Sequence, residues 1–392
     1  MTSKNVLVAG AGIAGLTTAY WLKKHGFTPT VVERATEIRD GGYKVDIRGA
    51  AVDVIRRMGL LDEVRRRATE VREATFVDRT GRKVAEMDAD LFGGRSGADV
   101  EILRGDLARL LFDQLDGVEF GFGDSIVDIQ PDGTVRFEHT PARKFDLVVG
   151  ADGLRSATRR MVFGEGDVRE LGYYVSIFTV PNHLGLDRAE RTYVEPGRTA
   201  LMYSTRGAAD AKAMFLFAAP PMDYDRRDTE QQRAILAEAY AGAGWEVPRL
   251  IEAAKSADGF YFDSLSLVEL DRWSRGRVVL TGDAAYCASP ASGQGTSLAL
   301  VGAYVLAGEL ASSDDPATAF ARYEQEMRGF VTANQKLGPA NVRGMVIAKR
   351  WQIRAQLAVL RMLPHLPGKE RMAGRIAARI HRAATAITLK DY

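Results

Sequence analysis

The chain has 392 residues, 46% hydrophobic and 27% charged, with a formal net charge of +2. This is soluble globular composition with length for two to three domains, and it gives no reason to expect nucleic acid as a partner. One cysteine, Cys287, excludes an internal disulfide and a cysteine-rich metal site, and five scattered histidines offer no metal-ligand spacing, so no metal is expected. The opening MTSK runs straight into a strand without a secretion signal. No uninterrupted apolar run reaches about 18 residues, so a cytoplasmic protein without membrane insertion is expected.

The segment KNVLVAGAGIAGLTTAYWLKKHGFTPTVVER reads as strand, glycine turn, helix and strand. Gly10, Gly12 and Gly15 form G-x-G-x-x-G, with Ala14 beside the third glycine, and Gly26 is placed to close the helix. Gly10 allows the tight turn, Gly12 lets a pyrophosphate approach, and Gly15 lets helix and strand pack closely. The bare N–H groups and dipole of the helix start favour phosphate. The second strand, TVVE, ends on Glu33, 18 residues after Gly15, where a carboxylate accepts from ribose hydroxyls and disfavours a 2′-phosphate. A dinucleotide site follows, with NAD and FAD both open at this point.

Further along, GGYKVDIRGAAVDVIRRMGL (41–60) reads as a loop carrying Arg48 and a short amphipathic helix. In EILRGDLARLLFDQL, Arg104 precedes an apolar-periodic helix. Either arginine taken alone reads more readily as a solvated surface charge. FDLVVGADGLRSATRR is a strand ending in an Asp152–Gly153 turn. Residues 171–220 turn to β-rich runs that predict a sheet roofing a pocket, with Tyr193, Met202, Tyr203, Phe215 and Phe217 as candidate lining. Aromatic and Met side chains suit a planar, mostly apolar small molecule.

TGDAAYCASPASGQGTSLAL (281–300) puts an Asp, a Pro and three glycines, Gly293 and Gly295 among them, between a buried strand and a helix of small residues that begins near Thr296. SSDDPATAFARYEQEMRGFV starts a further helix, capped by Asp315 with Pro316 at its first turn. Residues 341–392 carry 11 lysines and arginines against two acids, a charge of +9 that leaves the rest at −7. WQIRAQLAVLRML and RMAGRIAARIHRA read as basic amphipathic helices broken by PHLPG. They are expected to brace the domains, with contact to an acidic carrier protein or anionic membrane as the other reading.

In this order the glycine triplet, the arginine before L-x-x-L-L, the ADG turn and the GDA segment resemble the class A, single-component FAD-dependent aromatic monooxygenases, the relatives of para-hydroxybenzoate hydroxylase. The chain looks nearest their tetracycline-modifying branch. The resemblance implies an α/β fold: a Rossmann-like FAD-binding domain (1–70, 100–170 and 260–315), a β-sheet substrate domain over the flavin (71–99 and 171–259) and C-terminal helices (316–392). It implies FAD as cofactor and NADPH or NADH as electron donor. O₂ would add at the flavin C4a position, and the hydroperoxide would hydroxylate an aromatic or polyketide-like substrate.

By the same resemblance Glu33 binds the adenosine ribose with Arg34 at the adenine end, and Arg104 contacts FAD between strands. Asp152 lies near the pyrophosphate and the entering nicotinamide nucleotide, and Asp283 holds the ribityl chain. Pro290, Gly293 and Gly295 pass under the ring, the helix beginning near Thr296 aims its positive end at the ring's pyrimidine side, and Arg48 is a basic group close to ring and donor. No catalytic side chain is assigned beyond Arg48. The chain departs from many relatives at Tyr286, where they carry His, at Ser297, where they carry Asn, and at Gly302, where an acid is frequent. Cys287 reads as a small buried residue. A prenyl-reductase-like flavin reductase shares these motifs and stays open as an alternative, with a monomer or weak dimer expected.

Overall fold

The computed structural model describes residues 4–38, 42–95, 97–205, 207–362 and 369–392. Its first layer is a six-stranded sheet in the order Ser274–Arg275, Val278–Leu280, Leu147–Gly150, Asn5–Ala9, Thr28–Glu33, Glu119–Phe122. All pairs but the first are parallel. Parallel strands are covered on both faces, which is why VLVA and LVVG are continuous apolar runs. Val6 and Val8 turn toward the Ile13–Lys24 and Gly295–Ala311 helices. Leu7 and Ala9 turn toward Ile126 and Val135 of a small three-stranded sheet and toward Phe145 just after its last strand.

The Gly295–Ala311 helix is buried from Thr296 to Leu310 and crosses the Ile13–Lys24 helix. Interior glycine costs about 1 kcal/mol against alanine, and two close contacts offset that here. A Cβ at Gly302 would lie 1.8 Å from the Tyr286 hydroxyl, and one at Gly308 would lie 2.2 Å from the ring of Tyr392. The C-terminal residue is thus seated in the first layer, its hydroxyl donating to Glu309 at 2.8 Å beside the Lys390–Glu309 ion pair.

The second layer is a seven-stranded sheet in the order Tyr261–Val268, Val168–Pro181, Asp210–Ala218, Arg198–Ser204, Ala189–Glu195, Glu73–Val77, Lys83–Asp88. The Tyr261–Val268 strand was expected with the FAD-binding part; pairing with the Val168–Pro181 strand puts it in the large sheet instead. One face of this sheet packs on the Thr229–Ala239 and Val247–Ala254 helices; the other meets Ala291, Val342 and Val346. The Pro316–Gln335 helix starts as its sequence predicts, Asp315 accepting from the Ala317 and Thr318 amides. Arg350–Met362 and Lys369–Ala384 are helical; PHLPG lies outside the described residues, as does Gly41 of the paired glycines. Among the described residues no helix is long and apolar enough to cross a membrane.

Candidate functional site

The glycine turn carries the tightest constraints in the molecule. Gly10 has φ +102°, and a Cβ there would sit 2.7 Å from the Ala151 carbonyl oxygen. A Cβ at Gly15 would lie 1.8 Å from the Gly10 carbonyl oxygen, so helix and strand touch backbone to backbone. Gly12 precedes the Ile13–Lys24 helix with no side-chain cap, leaving the first-turn N–H groups bare. Ala14 abuts Gly282, whose Cβ would lie 2.6 Å from that of Ala14, so the first motif and the GDA segment meet there.

Glu33 ends its strand beside this turn, one oxygen accepting from Ala11 N–H at 2.8 Å and the other from Ala35 N–H at 3.0 Å. Arg34 beside it is exposed. Arg104 reaches across from the start of the Arg104–Phe112 helix, its guanidinium 3.8 Å from where a Gly12 Cβ would be. Its amide donates to the Tyr43 carbonyl at 3.0 Å.

In the GDA segment nearly every residue is buried, but Asp283, Gly293 and Gly295 are half-buried and Pro290 is exposed. They border one open surface, with Asp283 Oδ1 3.8 Å from a would-be Gly295 Cβ. Burial pushes the Asp283 carboxyl pKa up, opposed by a hydrogen bond with Cys287 and by the charge of Arg104. Gly293 has φ +65°, which leaves the turn free of a side chain. Thr296 is buried in the first turn of the following helix.

Several buried polar atoms at this turn have no protein partner, the Ser289 hydroxyl among them. Both amide atoms of Gln294 are orphaned, in a residue 0% exposed, and so is Arg48 Nε, in a residue 3% exposed. Buried orphans of this kind cost about 1–3 kcal/mol each unless something pairs with them. With two uncapped helix starts and a half-buried acid between them, the surface fits a dinucleotide flavin.

Arg48 is otherwise fixed, donating to the Gly94 carbonyl at 2.8 Å, the Gly93 carbonyl at 2.7 Å and Asp46 at 2.7 Å. It lies 3.9 Å from where a Gly293 Cβ would be, and its amide donates to the Ser297 hydroxyl at 3.0 Å. A chain of ion pairs runs outward from it: Asp46 to Arg95 at 3.4 Å, Arg95 to Glu101 at 2.5 Å and Glu101 to Lys44 at 3.6 Å. Lys44 continues to Glu190 at 2.9 Å. Burial acts to lower the Lys44 pKa, and Glu190 and Glu101 more than reverse it. The sequence reading missed Asp46; its signal is the i, i+2 spacing to Arg48, which puts both side chains on one side of a strand.

The sequence reading also missed what holds the DG turn. Asp152 spends both oxygens on its own loop, accepting from the Ser156 hydroxyl and from Thr158 N–H at 2.9 Å. Arg159, 2% exposed, donates to the Leu154 carbonyl at 2.7 Å and the Ala284 carbonyl at 2.9 Å, which ties this turn to the GDA segment. S-x-x-R directly after the ADG turn is the pattern that marks them.

Tyr286 and Gly302 form one steric unit in this chain. The Tyr286 ring fills the volume a side chain at 302 would need, and its hydroxyl meets Thr281 Oγ1 at 3.1 Å and the Tyr323 hydroxyl at 3.0 Å. Cys287 is 3% exposed, its thiol donates to the Ser266 carbonyl, and burial pushes its pKa well up, so it is not a thiolate at neutral pH.

The lining expected of the sheet needs correction. Tyr193, Met202, Phe215 and Phe217 point to the far face, packed with Leu236, Tyr240, Val247 and Leu250. Tyr193 in addition donates to Glu195 at 2.5 Å. Side chains alternate along a strand, so the site-facing set is the other parity. It includes Met214 and Leu216, with Tyr173, Leu265 and Tyr43 in the same cluster as Ala291. Tyr203 is on the site side but fully buried; its hydroxyl accepts from Lys44 N–H at 3.1 Å and its ring lies 4.8 Å from the Lys44 ammonium. Tyr261, 37% exposed, has its ring centroid 6.1 Å from that of Tyr43. Burial pushes the pKa of both hydroxyls up, so they remain donors at neutral pH.

A parallel nucleotide-binding sheet, a glycine turn, a DG turn and a GDA segment, roofed by a second sheet, define a flavoprotein of the FAD-binding-domain family. The family model of that description matches residues 3–336, and the chain belongs to it. An uncharacterized protein of Mycobacterium tuberculosis, Rv1260, is 47% identical over 350 residues, covering 87% of this chain and 94% of that protein. A flavin-dependent monooxygenase of Legionella longbeachae is 39% identical over 344 residues, covering 86% and 88%. The crystal structure of the tetracycline destructase Tet(51) superposes with TM-score 0.87 at 35% identity over 100% of both chains. This chain is an FAD-dependent monooxygenase.

Proposed function

We propose that the chain hydroxylates a fused-ring aromatic or polyketide substrate of the tetracycline type, with NADPH or NADH as electron donor. The observation that carries this is the broad apolar and aromatic face of Tyr43, Tyr173, Met214, Leu216 and Tyr261 beside the Pro290–Ser292 turn. The similarity to Tet(51) over the full chain supports the substrate class. Bound FAD, once reduced, activates O₂ so that one oxygen atom enters the substrate ring and the other leaves as water, while the donor is oxidised.

The protein's part is to hold and orient. Glu33 is preset by two amides to receive ribose hydroxyls, and the bare turn at Gly12 receives the pyrophosphate with Arg104 above it. Asp283 accepts from the ribityl hydroxyls, and Gly293 and Gly295 let the ring lie against backbone. Arg48, Gln294 and the start of the Gly295–Ala311 helix would hold the flavin ring, and their positive potential would favour its anionic reduced form. The Tyr43 and Tyr261 hydroxyls donate to substrate oxygens, and the apolar sheet face excludes water that would otherwise divert activated oxygen to peroxide.

The purified holoenzyme, mixed with tetracycline and NADPH or NADH in air, should give a product heavier by one oxygen atom, labelled when ¹⁸O₂ is supplied. Donor oxidation that releases only hydrogen peroxide across a panel of tetracyclines and simpler phenols would refute the substrate assignment.

A further inference from the structure

The Arg350–Met362 helix packs on the Lys83–Asp88 and Ala189–Glu195 strands of the large sheet and buries only Ile353. Its outward side carries Trp351, Ala355, Val359 and Met362, which helical spacing gathers into one stripe. Trp351, Val359 and Met362 are 64%, 53% and 57% exposed, more than any other large hydrophobic among the described residues. A helix that only braced the sheet would present polar groups there.

The charge around the stripe has a single sign. Lys349, Arg350, Arg354 and Arg361 are all exposed, and no acidic residue occurs between Glu326 and Glu370. None of these four cations is in an ion pair with a described carboxylate within 4.0 Å. Arg354 and Arg361 are two turns apart and flank the stripe on one side, while Gln352 and Gln356 flank it on the other.

A second copy of this chain would bring the same cations against one another, which disfavours self-association. A shaped protein groove would need matching pockets for three dissimilar side chains. A lipid surface needs neither: the interface accepts Trp, Val and Met on one level while arginine stems reach up to phosphate. We propose that this helix seats the enzyme reversibly on an anionic bilayer surface, lying in the plane of the headgroups. The proposal is independent of the substrate assignment.

The test is co-sedimentation of the full-length holoenzyme with vesicles of phosphatidylglycerol mixed with phosphatidylcholine, against pure phosphatidylcholine. Binding to the anionic vesicles, weakened by salt, is expected. Each headgroup-facing cation contributes roughly fivefold to partitioning, so the Arg354→Gln/Arg361→Gln variant should partition roughly 25-fold less. Trp351→Ser should lose binding independently of charge. Both variants should keep the bound flavin and the basal donor oxidation of the parent, which shows that they fold. Absence of binding, equal binding to neutral vesicles, or binding untouched by these variants overturns the proposal. So does an acidic protein that binds this helix when vesicles do not.

Discussion

At Gly15 an added Cβ would lie 1.8 Å from a backbone oxygen, whereas Met214 and Tyr173, on the sheet that roofs the site, are only half-buried. The first region is specified by what must be missing and the second by what points the right way. Backbone contact cannot relax, so the glycine cradle admits few substitutions. A sheet face tolerates many side chains as long as parity is kept, which is how one family can retain its cofactor and vary its substrate.

Breaking the cradle carries the largest expected effect. Overpacking usually costs about 1–3 kcal/mol where side chains can yield; in Gly15→Ala the obstacle is backbone, so the loss should exceed that range. The variant is expected to purify without flavin and to melt well below the parent, read by the flavin-to-protein absorbance ratio and calorimetry. The far face of the roof comes next. Phe217→Ala should cost about 3–5 kcal/mol in a denaturant titration, yet leave KM unchanged in the folded fraction, because this ring packs on Tyr240 and not on the site.

The steric unit at 286 and 302 sharpens the comparison from within the first layer. Gly302→Asp alone should destabilise by about 1–3 kcal/mol, since the Tyr286 hydroxyl occupies the new side chain's place. Adding Tyr286→His should restore part of that loss; additive losses in the double-mutant cycle would show that the two positions are not coupled. On the near face, Tyr261→Ala should raise KM about tenfold, near 1.4 kcal/mol, with flavin content and melting temperature kept. Were Phe217→Ala to raise KM and Tyr261→Ala to spare it, the face assignment would be wrong.

The smallest effect is a pH profile. Burial raises the Asp283 pKa, so on acidification this carboxylate is protonated earlier than an ordinary one and, in the role proposed for it, would stop accepting from the ribityl chain. Flavin release from the parent should set in as pH falls through that raised value, while Asp283→Asn releases flavin without a step there. In flavin-free protein the sign reverses. The buried charge costs stability above the folded-state pKa, and the cost vanishes below the ordinary carboxylate pKa. Fluorescence of released flavin and melting of the flavin-free protein read the two arms.

Much of the cradle is legible along the chain because its parts are local: a turn, a helix start and a strand end within some thirty residues. The same holds for the Asp315 cap, satisfied by the next two helical amides. The lining of the roof was not legible, because reading aromatic content without fixing strand register is a one-residue error that reverses every side chain. Tyr193, Met202, Phe215 and Phe217 have the chemistry of a pocket lining, but strand pairing turns them to the helices. Asp46 and Arg159 carry local signals, the i, i+2 spacing to Arg48 and S-x-x-R, but their ties to Arg95 and Ala284, 49 and 125 residues away, exist only in the fold.

The sequence by itself determined the dinucleotide turn, the order of the flavin motifs and the position of the acid among the small residues at 281–300, because backbone geometry and helix dipoles act over a few residues. Only the tertiary structure decided which face of the roof meets the flavin turn. It also decided that Tyr286 and Gly302 form one steric unit, that Tyr392 fills the notch at Gly308, and that the basic helix keeps an apolar stripe in solvent. Each of these depends on strand register or on contact between distant segments, and such contacts are settled by close packing in the folded chain.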